Sequence, residues 1–345
     1  MKVRWYKHNL PFVYPFTISK GTKTHQPTLI VELEIRGLKG YGEAPAITYY
    51  NISVDKMAED IEQKKQVLEK FALTDPERYW HFLHHLFPNN PFLVCALDMA
   101  GWDLWGKLAG KPLFRLWNLD LAKSPLTDYT IGIDSPEVMV NKIKEKDWPV
   151  YKIKVGFEGD MDLLTQLRSQ TNKPLRVDAN AAWTLEQALH KIPIMKSLDV
   201  EMIEQPLARD DWEGMAVLYK NASIPLFADE SCVSESDVQK CHGHFHGINI
   251  KLTKCSGITP ARRMITEARK LNMLVMMGCM NESTIGTAAM IHLSPLLDYL
   301  DADGPLLLKE DLASGLTYDN GVIRFIQALP GLSITELPVL QNHLD

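Results

Sequence analysis

Hydrophobic residues are spaced as in strands at the start of the chain and as in helices from residue 53 onward. The early segments alternate or are rich in β-branched residues, and closely spaced glycines turn the chain into a third short strand. The last helical segment carries one continuous apolar stripe. The predicted elements are strands at 2–10, 28–35 and after the turn at 37–42, then helices at 53–70, 76–86 and 91–109. We therefore predict an N-terminal α+β domain over residues 1–115.

From about residue 127, short apolar runs alternate with amphipathic segments of helical period. Each run has the length of a buried strand, and one polar or small residue near its end recurs at steps of 22 to 28 residues, which is about one βα unit. The eight runs are YTIGI (129–133), YKIKV (151–155), LRVDAN (175–180), VEMIEQP (200–206), PLFADES (225–231), GINIKL (247–252), MLVMMGC (273–279) and LDYLDAD (297–303).

Near-continuous apolar strands alternating with helices describe a parallel sheet that helices cover. Eight such strands close into a barrel, because that number just lets side chains fill the interior. The predicted fold class is therefore α/β: a (β/α)₈ TIM-type barrel over residues 116–319, after the N-terminal α+β domain. Residues 320–345 are too few for another domain, and we expect them to return and pack on the N-terminal domain.

Composition and charge exclude several classes of protein. Lys+Arg 37 against Asp+Glu 43 gives a net charge of −6 without any basic block, so neither nucleic acid nor a membrane is expected as a partner. No apolar run is long enough to span a bilayer, and the first residues lack the apolar segment of a secretory signal. The scattered cysteines indicate reduced thiols and a cytoplasmic protein. They are Cys95, Cys232, Cys241, Cys255 and Cys279.

Acidic residues end three successive predicted strands: Asp178, Glu204 and Asp229. The carboxyl ends of barrel strands converge on one mouth, so these carboxylates are expected to meet. Three like charges in a partly dry cleft repel each other, and a divalent cation relieves that repulsion. All-oxygen ligands favour Mg²⁺, with Mn²⁺ as a substitute. The alternative is that each acid caps a helix, which suits one acid alone better than three at nearly equal spacing.

Three lysines belong to the same predicted mouth. Lys152 and Lys154 lie two apart on the second strand and face the same side, while Lys251 ends the sixth strand, almost opposite. Lysines on the two faces of a flat enolate can remove a proton from one face and return it on the other. We therefore predict Lys154 and Lys251 as acid/base residues, with pKa values lowered by the cation. Lys152 is interpreted as an electrostatic helper. The alternative is that the lysines flank strands for solubility.

Five short motifs, in order and with matching spacing, resemble the enolase superfamily in its muconate-lactonising subgroup. They are KIK (152–154), DAN (178–180), EQP (204–206), DES (229–231) and NIKL (249–252). The segment ALDMAGWDLWGKLAGKPL (96–113) is typical of the capping domain of this family. Enolase-superfamily enzymes use a Lys or His base with Mg²⁺. The resemblance therefore implies one Mg²⁺ per subunit on the three acids, with Lys154 and Lys251 as acid/base residues and Lys152 as their electrostatic partner.

The acidic pair in DAD (301–303) narrows the resemblance to dipeptide epimerases. In that group the pair holds the free ammonium of a dipeptide while the C-terminal carboxylate lies on Mg²⁺, and two carboxylates on one face suit an ammonium group. The resemblance implies an isomerase that inverts the α-carbon of the C-terminal residue, with Asp301 and Asp303 binding substrate. Thr130 and Cys279 are expected to line the pocket. The alternative is that the acids pair with an arginine or cap a turn.

Two loops of the capping domain, 17–25 and 46–52, are expected to select the substrate side chain. The first contains Lys20, Lys23 and Thr24 but no arginine, a residue that family members acting on a C-terminal Glu tend to have there. Thr24 is assigned to substrate binding. The second loop offers an isoleucine and two tyrosines. We therefore predict Ala-Xaa dipeptides in which Xaa is neutral or hydrophobic, as in Ala-Ala.

Other functions on the same scaffold stay open at this point. An N-acylamino-acid racemase, an o-succinylbenzoate synthase or a cycloisomerase would share the lysines and the metal ligands, but would have no use for an ammonium clamp. A non-catalytic, metal-dependent peptide-binding protein is a further alternative. Barrels of this size often assemble, so a homo-oligomer also stays open.

Four charged residues are given no part in the chemistry. Asp98 and Asp103 interrupt the third predicted helix and are interpreted as structural ion-pair or cap residues. Lys254 lies beyond the end of the sixth strand and is expected to point to solvent or to the periphery of the substrate. Glu230 alternates away from Asp229 and is left out of the metal set.

Overall fold

The computed structural model describes residues 1–18, 21–336 and 338. Its first part is an antiparallel sheet in the order β1-β2-β3 with helices packed against it, which confirms the predicted α+β character. The elements are β1 (Lys2–Ile18), β2 (Gly21–Ile35), β3 (Leu38–Pro45), α1 (Val54–Lys70), α2 (Pro76–Leu86), α3 (Pro91–Leu108) and α4 (Leu113–Leu116).

The hairpin of β1 and β2 is longer than the sequence predicts. The alternation ends at residue 10, but β1 continues past it, with a shift of register between Pro11 and Phe16. A proline has no N–H to donate to the ladder, which explains why the pairing is irregular here. The extension reaches the barrel, where the Ile133 N–H donates to the Thr17 carbonyl at 2.9 Å.

Two glycines of β3 allow α3 to pack directly on the sheet. A Cβ atom on Gly40 would lie 2.3 Å from the Ala100 carbonyl oxygen, and one on Gly42 would lie 1.9 Å from that of Ala96. Any larger residue would push the helix away. Because almost every residue of α3 is buried, this contact forms the centre of the domain.

The second part contains eight parallel strands in chain order, each inside one of the eight predicted runs. A parallel bridge between Thr127 and Leu300 joins the two edges of the sheet and closes the ring. The predicted barrel is therefore confirmed. Its strands are β4 (Tyr129–Ile131), β5 (Tyr151–Lys154), β6 (Leu175–Asp178), β7 (Val200–Glu204), β8 (Leu226–Ala228), β9 (Gly247–Ile250), β10 (Leu274–Gly278) and β11 (Tyr299–Asp301).

Helices follow the barrel strands and cover the outside of the ring, as right-handed βα connections require. The connection after β9 contains two of them, the first a single turn that starts directly behind the strand. The helices are α5 (Pro136–Lys146), α6 (Asp160–Arg168), α7 (Leu185–Ser197), α8 (Trp212–Asn221), α9 (Glu235–Cys241), α10 (Leu252–Cys255), α11 (Ile258–Lys270), α12 (Thr284–Ile291) and α13 (Gly304–Leu307).

Short strands complete the described chain and lead back to the N-terminal part. They are β12 (Ala313–Ser314), β13 (Leu316–Asp319), β14 (Val322–Phe325) and β15 (Thr335–Glu336). Asp103 of α3 accepts hydrogen bonds from the Leu332 N–H at 2.7 Å and from the Tyr41 N–H at 2.8 Å. This acid therefore joins β3, α3 and the C-terminal segment, which is the structural role that we predict for it.

The division of the chain into 1–115, 116–319 and 320–345 stays a prediction. Residues 337 and 339–345 of the last segment lie outside the described residues. Within the described residues, no helix has both the length and the apolar character that crossing a bilayer requires. All five cysteines are buried free thiols, as we predict.

The capping domain is anchored to the segment that follows Lys251. Asp98 of α3 accepts hydrogen bonds from the N–H and the hydroxyl of Thr259, at 3.0 and 2.7 Å, at the start of α11. The Trp80 ring N–H donates to the Ser256 carbonyl at 3.0 Å. Asp98 thus has the cap role that we predict, across the boundary between capping domain and barrel.

A second anchor lies behind the end of β10. Glu43 of β3 is completely buried and accepts hydrogen bonds from the Ser283 hydroxyl at 2.6 Å and from the Gly286 N–H at 3.0 Å. These donors lie at the start of α12, so Glu43 holds the loop that carries Cys279. Both anchors fix loops of the barrel mouth from the capping domain.

Candidate active site

The carboxyl ends of the barrel strands open into a cavity of about 450 Å³ between the barrel and the capping domain. Most of the predicted site residues line it: Thr130, Lys152, Lys154, Asp229, Lys251, Cys279, Asp301 and Asp303. Asp178 and Glu204 are completely buried next to it. The structure therefore brings residues from the ends of all eight barrel strands to a single mouth.

The capping domain supplies the remaining wall, mostly with apolar and aromatic side chains. Thr24 is not part of it, because its exposed side chain contacts His25, with 3.1 Å between Oγ1 and Nδ1. Lys20 lies outside the described residues. The residues of this wall are Phe16, Ile18, Gly21, Thr22, Lys23, Ile47, Thr48, Tyr49 and Tyr50. The two predicted loops thus reach the cavity, the first through Thr22 and Lys23 rather than Thr24.

Two of the three acids have one carboxylate oxygen fixed by neutral donors. Asp178 Oδ1 accepts the Asn180 N–H at 2.9 Å, which is possible because the chain turns sharply after β6. Glu204 Oε1 accepts the side-chain amide of Asn249 at 2.7 Å. The orientation of each carboxylate is therefore set by a neutral donor, which comes from Asn180 of the cavity wall for Asp178 and from Asn249 for Glu204.

Asp229 is held by a lysine and a glutamine. Its Oδ1 contacts the ammonium of Lys254, and its N–H donates to Gln205 Oε1 at 2.9 Å. The prediction that Lys254 points to solvent or to the periphery of the substrate is wrong, since only 5% of its surface is exposed and it does not line the cavity. Because α10 starts directly after Lys251, a residue three positions further faces the same side and turns back to the strand end.

The second oxygen of each acid faces a lysine ammonium group. In strand order, these contacts are Lys154 Nζ to Asp178 Oδ2 at 2.5 Å, Lys152 Nζ to Glu204 Oε2 at 2.7 Å, and Lys251 Nζ to Asp229 Oδ2 at 2.8 Å. Three carboxylate oxygens, each from a side chain that is fixed by its other oxygen, thus attract positive charge. Such a donor set fits a hard divalent cation.

Burial and mutual repulsion set the ionisation of these acids. Burial and the neighbouring Asp178 raise the pKa of Glu204 to about 7. Burial acts in the same direction on Asp178, but Lys154 and Lys152 outweigh it and lower the pKa of Asp178 to about 2. The pKa values of these two adjacent carboxylates are therefore shifted in opposite directions, because Glu204 is repelled by Asp178 while two ammonium groups stabilise the charge of Asp178.

Lys251, one of the three lysines of the mouth, differs from our expectation in the direction of its pKa shift. Burial alone lowers a lysine pKa, but the carboxylates outweigh burial at two of these sites. Asp301 and Glu204 hold the pKa of Lys152 well above its usual range, and Asp229 does the same for Lys251. The expected lowering requires neutralisation of those carboxylates by a cation.

Asp301 and Asp303 lie side by side at the end of the last barrel strand. Asp301 Oδ2 accepts the Lys152 ammonium at 2.6 Å, and Asp301 Oδ1 is buried without a hydrogen-bond partner in the described part of the chain. Asp303 Oδ2 accepts the Thr130 N–H at 2.6 Å, while Cys279 Sγ is 3.7 Å from its other oxygen. Burial and Asp301 raise the pKa of Asp303 to about 7.

Two residues around the site, Asn249 and Glu230, have no role in the prediction from the sequence. Asn249 could have been found, because it lies two positions before Lys251 within the predicted strand 247–252 and is therefore expected to face the same side. Glu230 lines the cavity although alternation turns it away from Asp229. The reason is that β8 ends at Ala228, so the period of two no longer holds beyond it.

Two family models, one for each part of the chain, match this protein. The model of the "Mandelate racemase / muconate lactonizing enzyme, N-terminal domain" matches residues 1–117, and the "Enolase C-terminal domain-like" model matches residues 137–336. Together they span most of the chain, from the capping domain to the last described strand.

Relatives that are named epimerases align with nearly the full length of the chain. The chain is 45% identical to an L-Ala-D/L-amino acid epimerase of Flavobacterium johnsoniae, over 98% of this chain and 100% of that protein. It is 36% identical to an L-Ala-D/L-Glu epimerase of Bacteroides thetaiotaomicron, over 98% and 88%.

A solved structure shares the architecture. It is a dipeptide epimerase from Cytophaga hutchinsonii complexed with Mg and the dipeptide D-Ala-L-Val, with a TM-score of 0.92 and 28% identity. The alignment covers 97% of this chain and 95% of that one. With both domains matched and the motifs in place at the strand ends, the chain belongs to the mandelate racemase/muconate lactonizing enzyme family of the enolase superfamily.

Proposed function

We propose that this protein is a dipeptide epimerase that inverts the α-carbon of the C-terminal residue of Ala-Xaa dipeptides. The reaction is a Mg²⁺-assisted 1,1-proton transfer between two lysines. The observation that carries the proposal is the placement of Lys154 and Lys251 at the second and sixth of eight barrel strands, each against a carboxylate of the same acidic cluster. Relatives that are named epimerases and align with more than nine-tenths of this chain support it.

Asp178, Glu204 and Asp229 are the proposed ligands of one Mg²⁺ per subunit, with Mn²⁺ as a substitute. This assignment is supported by the contacts of the three carboxylates. One oxygen of each faces a lysine ammonium group, and the other oxygen is held by a second donor. When bound, Mg²⁺ polarises the substrate carboxylate and makes the neighbouring α-proton more acidic.

Lys154 and Lys251 are the proposed acid/base pair, one for each face of the α-carbon. Both are buried residues of the cavity wall, where an amine can exchange a proton with substrate away from bulk water. One lysine takes the proton from its face and the other delivers a proton to the opposite face, which inverts the centre. Lys152 is the proposed electrostatic partner of the carboxylate that gains negative charge.

Asp301 and Asp303 are proposed to bind the substrate ammonium. The unsatisfied Asp301 Oδ1 supports this role, because a buried carboxylate oxygen without a donor favours a cationic one. Neither acid is paired with an arginine in the described structure; their partners are Lys152, the Thr130 N–H and the Cys279 thiol. Thr130 and Cys279 line the same end of the cavity.

The side chain of the C-terminal residue is proposed to lie against the capping domain. Ile18, Ile47 and Tyr50 give this wall an apolar surface, which favours a neutral or hydrophobic Xaa. We therefore expect turnover of Ala-Ala, Ala-Met and Ala-Phe, and no large preference for Ala-Glu.

A dipeptide panel in D₂O with Mg²⁺, read by mass spectrometry, tests the function. An Ala-Xaa epimerase incorporates one deuterium at the α-carbon of the C-terminal residue and none at the N-terminal one. N-succinyl amino acids in the same panel separate it from an N-acylamino-acid racemase. Lys154→Ala is the matched control. If the protein only binds peptides, this variant keeps its affinity for them, and neither the variant nor the unmodified protein exchanges the α-proton. If the protein is the enzyme, the variant loses exchange on one face of the α-carbon only. Exchange of N-succinyl amino acids without any of free dipeptides would contradict the proposal.

A further inference from the structure

Lys254 makes more contacts with Asp229 than an ordinary ion pair has. Its buried ammonium contacts Asp229 Oδ1 and also donates to the main-chain carbonyl of Asp229 at 2.5 Å. Two further carbonyls accept from it, Cys232 O at 3.0 Å and Asn249 O at 3.3 Å. Because these carbonyls belong to the loop after β8 and to strand β9, the ammonium is fixed by the barrel itself.

Lys251 contacts the same carboxylate from the other side. It donates to Asp229 Oδ2 at 2.8 Å and lines the cavity, whereas Lys254 is not part of the cavity wall. The two lysines are three residues apart, directly before and within the single turn of α10. One buried carboxylate therefore has two ammonium partners from one short segment, only one of which can reach a substrate.

We propose that Lys254 is the positioning residue of Asp229, the permanent counter-ion that leaves Oδ2 for the cation and frees Lys251 for proton transfer. This inference rests on the proposed function for the roles of Asp229 and Lys251. A buried carboxylate needs a positive partner in every state of the reaction. If Lys251 had to be that partner, it could not leave the carboxylate without exposing an uncompensated charge.

The carboxylates of Asp178 and Asp229 are then held by different kinds of donor. Asp178 has its outer oxygen fixed by a neutral main-chain N–H, while the outer oxygen of Asp229 is fixed by a charged side chain. Loss of Lys254 would therefore act on the Asp229 side of the metal site and on the Lys251 face of the substrate. The Lys154 face would be affected only through weaker cation binding.

The first test measures Mg²⁺ binding by calorimetry on chelator-treated protein, without substrate. We expect Lys254→Met to bind Mg²⁺ at least tenfold more weakly than the unmodified protein, with Lys254→Arg recovering most of that loss. Lys191→Met is the matched control, because Lys191 also pairs with a buried aspartate, Asp160, outside the site. Unchanged affinity in Lys254→Met, or an equal loss in Lys191→Met, would overturn the proposal.

The second test follows α-proton exchange in D₂O for each epimer separately, at saturating Mg²⁺. Lys251→Met identifies the epimer whose proton faces Lys251. We expect Lys254→Met, or Lys254→Gln if the Met variant does not fold, to slow exchange of that epimer at least tenfold more than exchange of the other. Equal slowing of both epimers would mean a structural role only and would refute the proposal. If the unmodified protein exchanges neither epimer, the proposed function fails, while the calorimetry still decides whether Lys254 positions Asp229.

Discussion

Lys152 Nζ lies 2.6 Å from Asp301 Oδ2 and 2.7 Å from Glu204 Oε2. A single buried ammonium thus joins the acidic pair of the last barrel strand to the acids of the third and fourth strands. Its pKa is held well above the usual range by these carboxylates, so it stays charged. In the proposed function, Lys152 separates the acids that bind the substrate ammonium from those that bind the cation, and this fixes the direction in which a dipeptide lies.

Replacing Asp301 should weaken binding of the substrate ammonium. We expect Asp301→Asn to raise KM for Ala-Phe by about 10-fold to 100-fold, because a hydrogen bond to a charged group is worth about 1.5 to 3 kcal/mol. Initial rates against dipeptide concentration measure the effect. Asp319→Asn is the control, since Asp319 is an exposed acid paired with Arg324. An unchanged KM for Asp301→Asn would contradict the ammonium assignment.

Adding Mg²⁺ should stabilise the protein through Glu204 and its neighbours. A ligand present at about 100 times its Kd adds about 2.7 kcal/mol to the free energy of unfolding. We expect Tm to rise with Mg²⁺, to fall after chelation, and to become insensitive to Mg²⁺ in Glu204→Gln. Since burial and repulsion raise the pKa of Glu204 to about 7, the neutral amide should not prevent folding. The exposed Glu186→Gln should respond like the unmodified protein; a normal Mg²⁺ response in Glu204→Gln would exclude Glu204 as a ligand.

The anchor between capping domain and barrel should contribute to stability. The Thr259 hydroxyl donates to Asp98 and accepts from the Trp102 ring N–H at 2.8 Å. Thr259→Val leaves both partners buried without this bond, so we expect the free energy of unfolding to fall by about 2 to 3 kcal/mol. Urea unfolding measures the loss. Thr266→Val on the same helix replaces an exposed hydroxyl and should cost much less; equal effects of the two variants would argue against the anchor.

His292 should make stability depend on pH in the acidic range. Burial lowers its pKa from 6.5 to about 3, and its Nδ1 accepts the Phe114 N–H at 3.2 Å. Between these two pKa values the unfolded chain binds one more proton than the folded chain at this site. The free energy of unfolding should therefore fall as pH drops below 6.5, by about 1.4 kcal/mol per pH unit from this residue.

Urea unfolding of His292→Gln should show a smaller dependence of the free energy of unfolding on pH between pH 5 and 6. The exposed His85→Gln is the control and should keep the slope of the unmodified protein. Identical slopes would show that His292 is not the group responsible.

Much of the fold could be predicted because its signals are local. Each barrel strand lies inside a predicted apolar run, and the helix that follows has its own amphipathic pattern. The hairpin could not be delimited in this way, because Pro11 and Pro15 interrupt the alternation although the strand continues. Nor could the direction of the Glu230 side chain be deduced, because the strand ends at Ala228, two residues before it.

The candidate site was predictable to the extent that it consists of strand ends. Lys154, Asp178 and Asp229 follow apolar runs, and barrel geometry alone directs such residues to one mouth. Thr24 does not follow this rule, because it lies in a hairpin whose reach depends on how the capping domain docks. Lys254 could not be placed either, because a single turn of helix, invisible to an amphipathic pattern, turns it inward.

The order of hydrophobic and polar residues by itself determined the α+β domain, the eight strands and the residues that end them, because alternation and helical period are written into neighbouring positions. Only the tertiary structure decided which partner each charge has. Lys152 reaches Asp301 across 149 residues, and Asp98 reaches Thr259 across 161. Such pairs depend on how the ring closes and how the capping domain docks, and both follow from the packing of the whole core rather than from any local pattern.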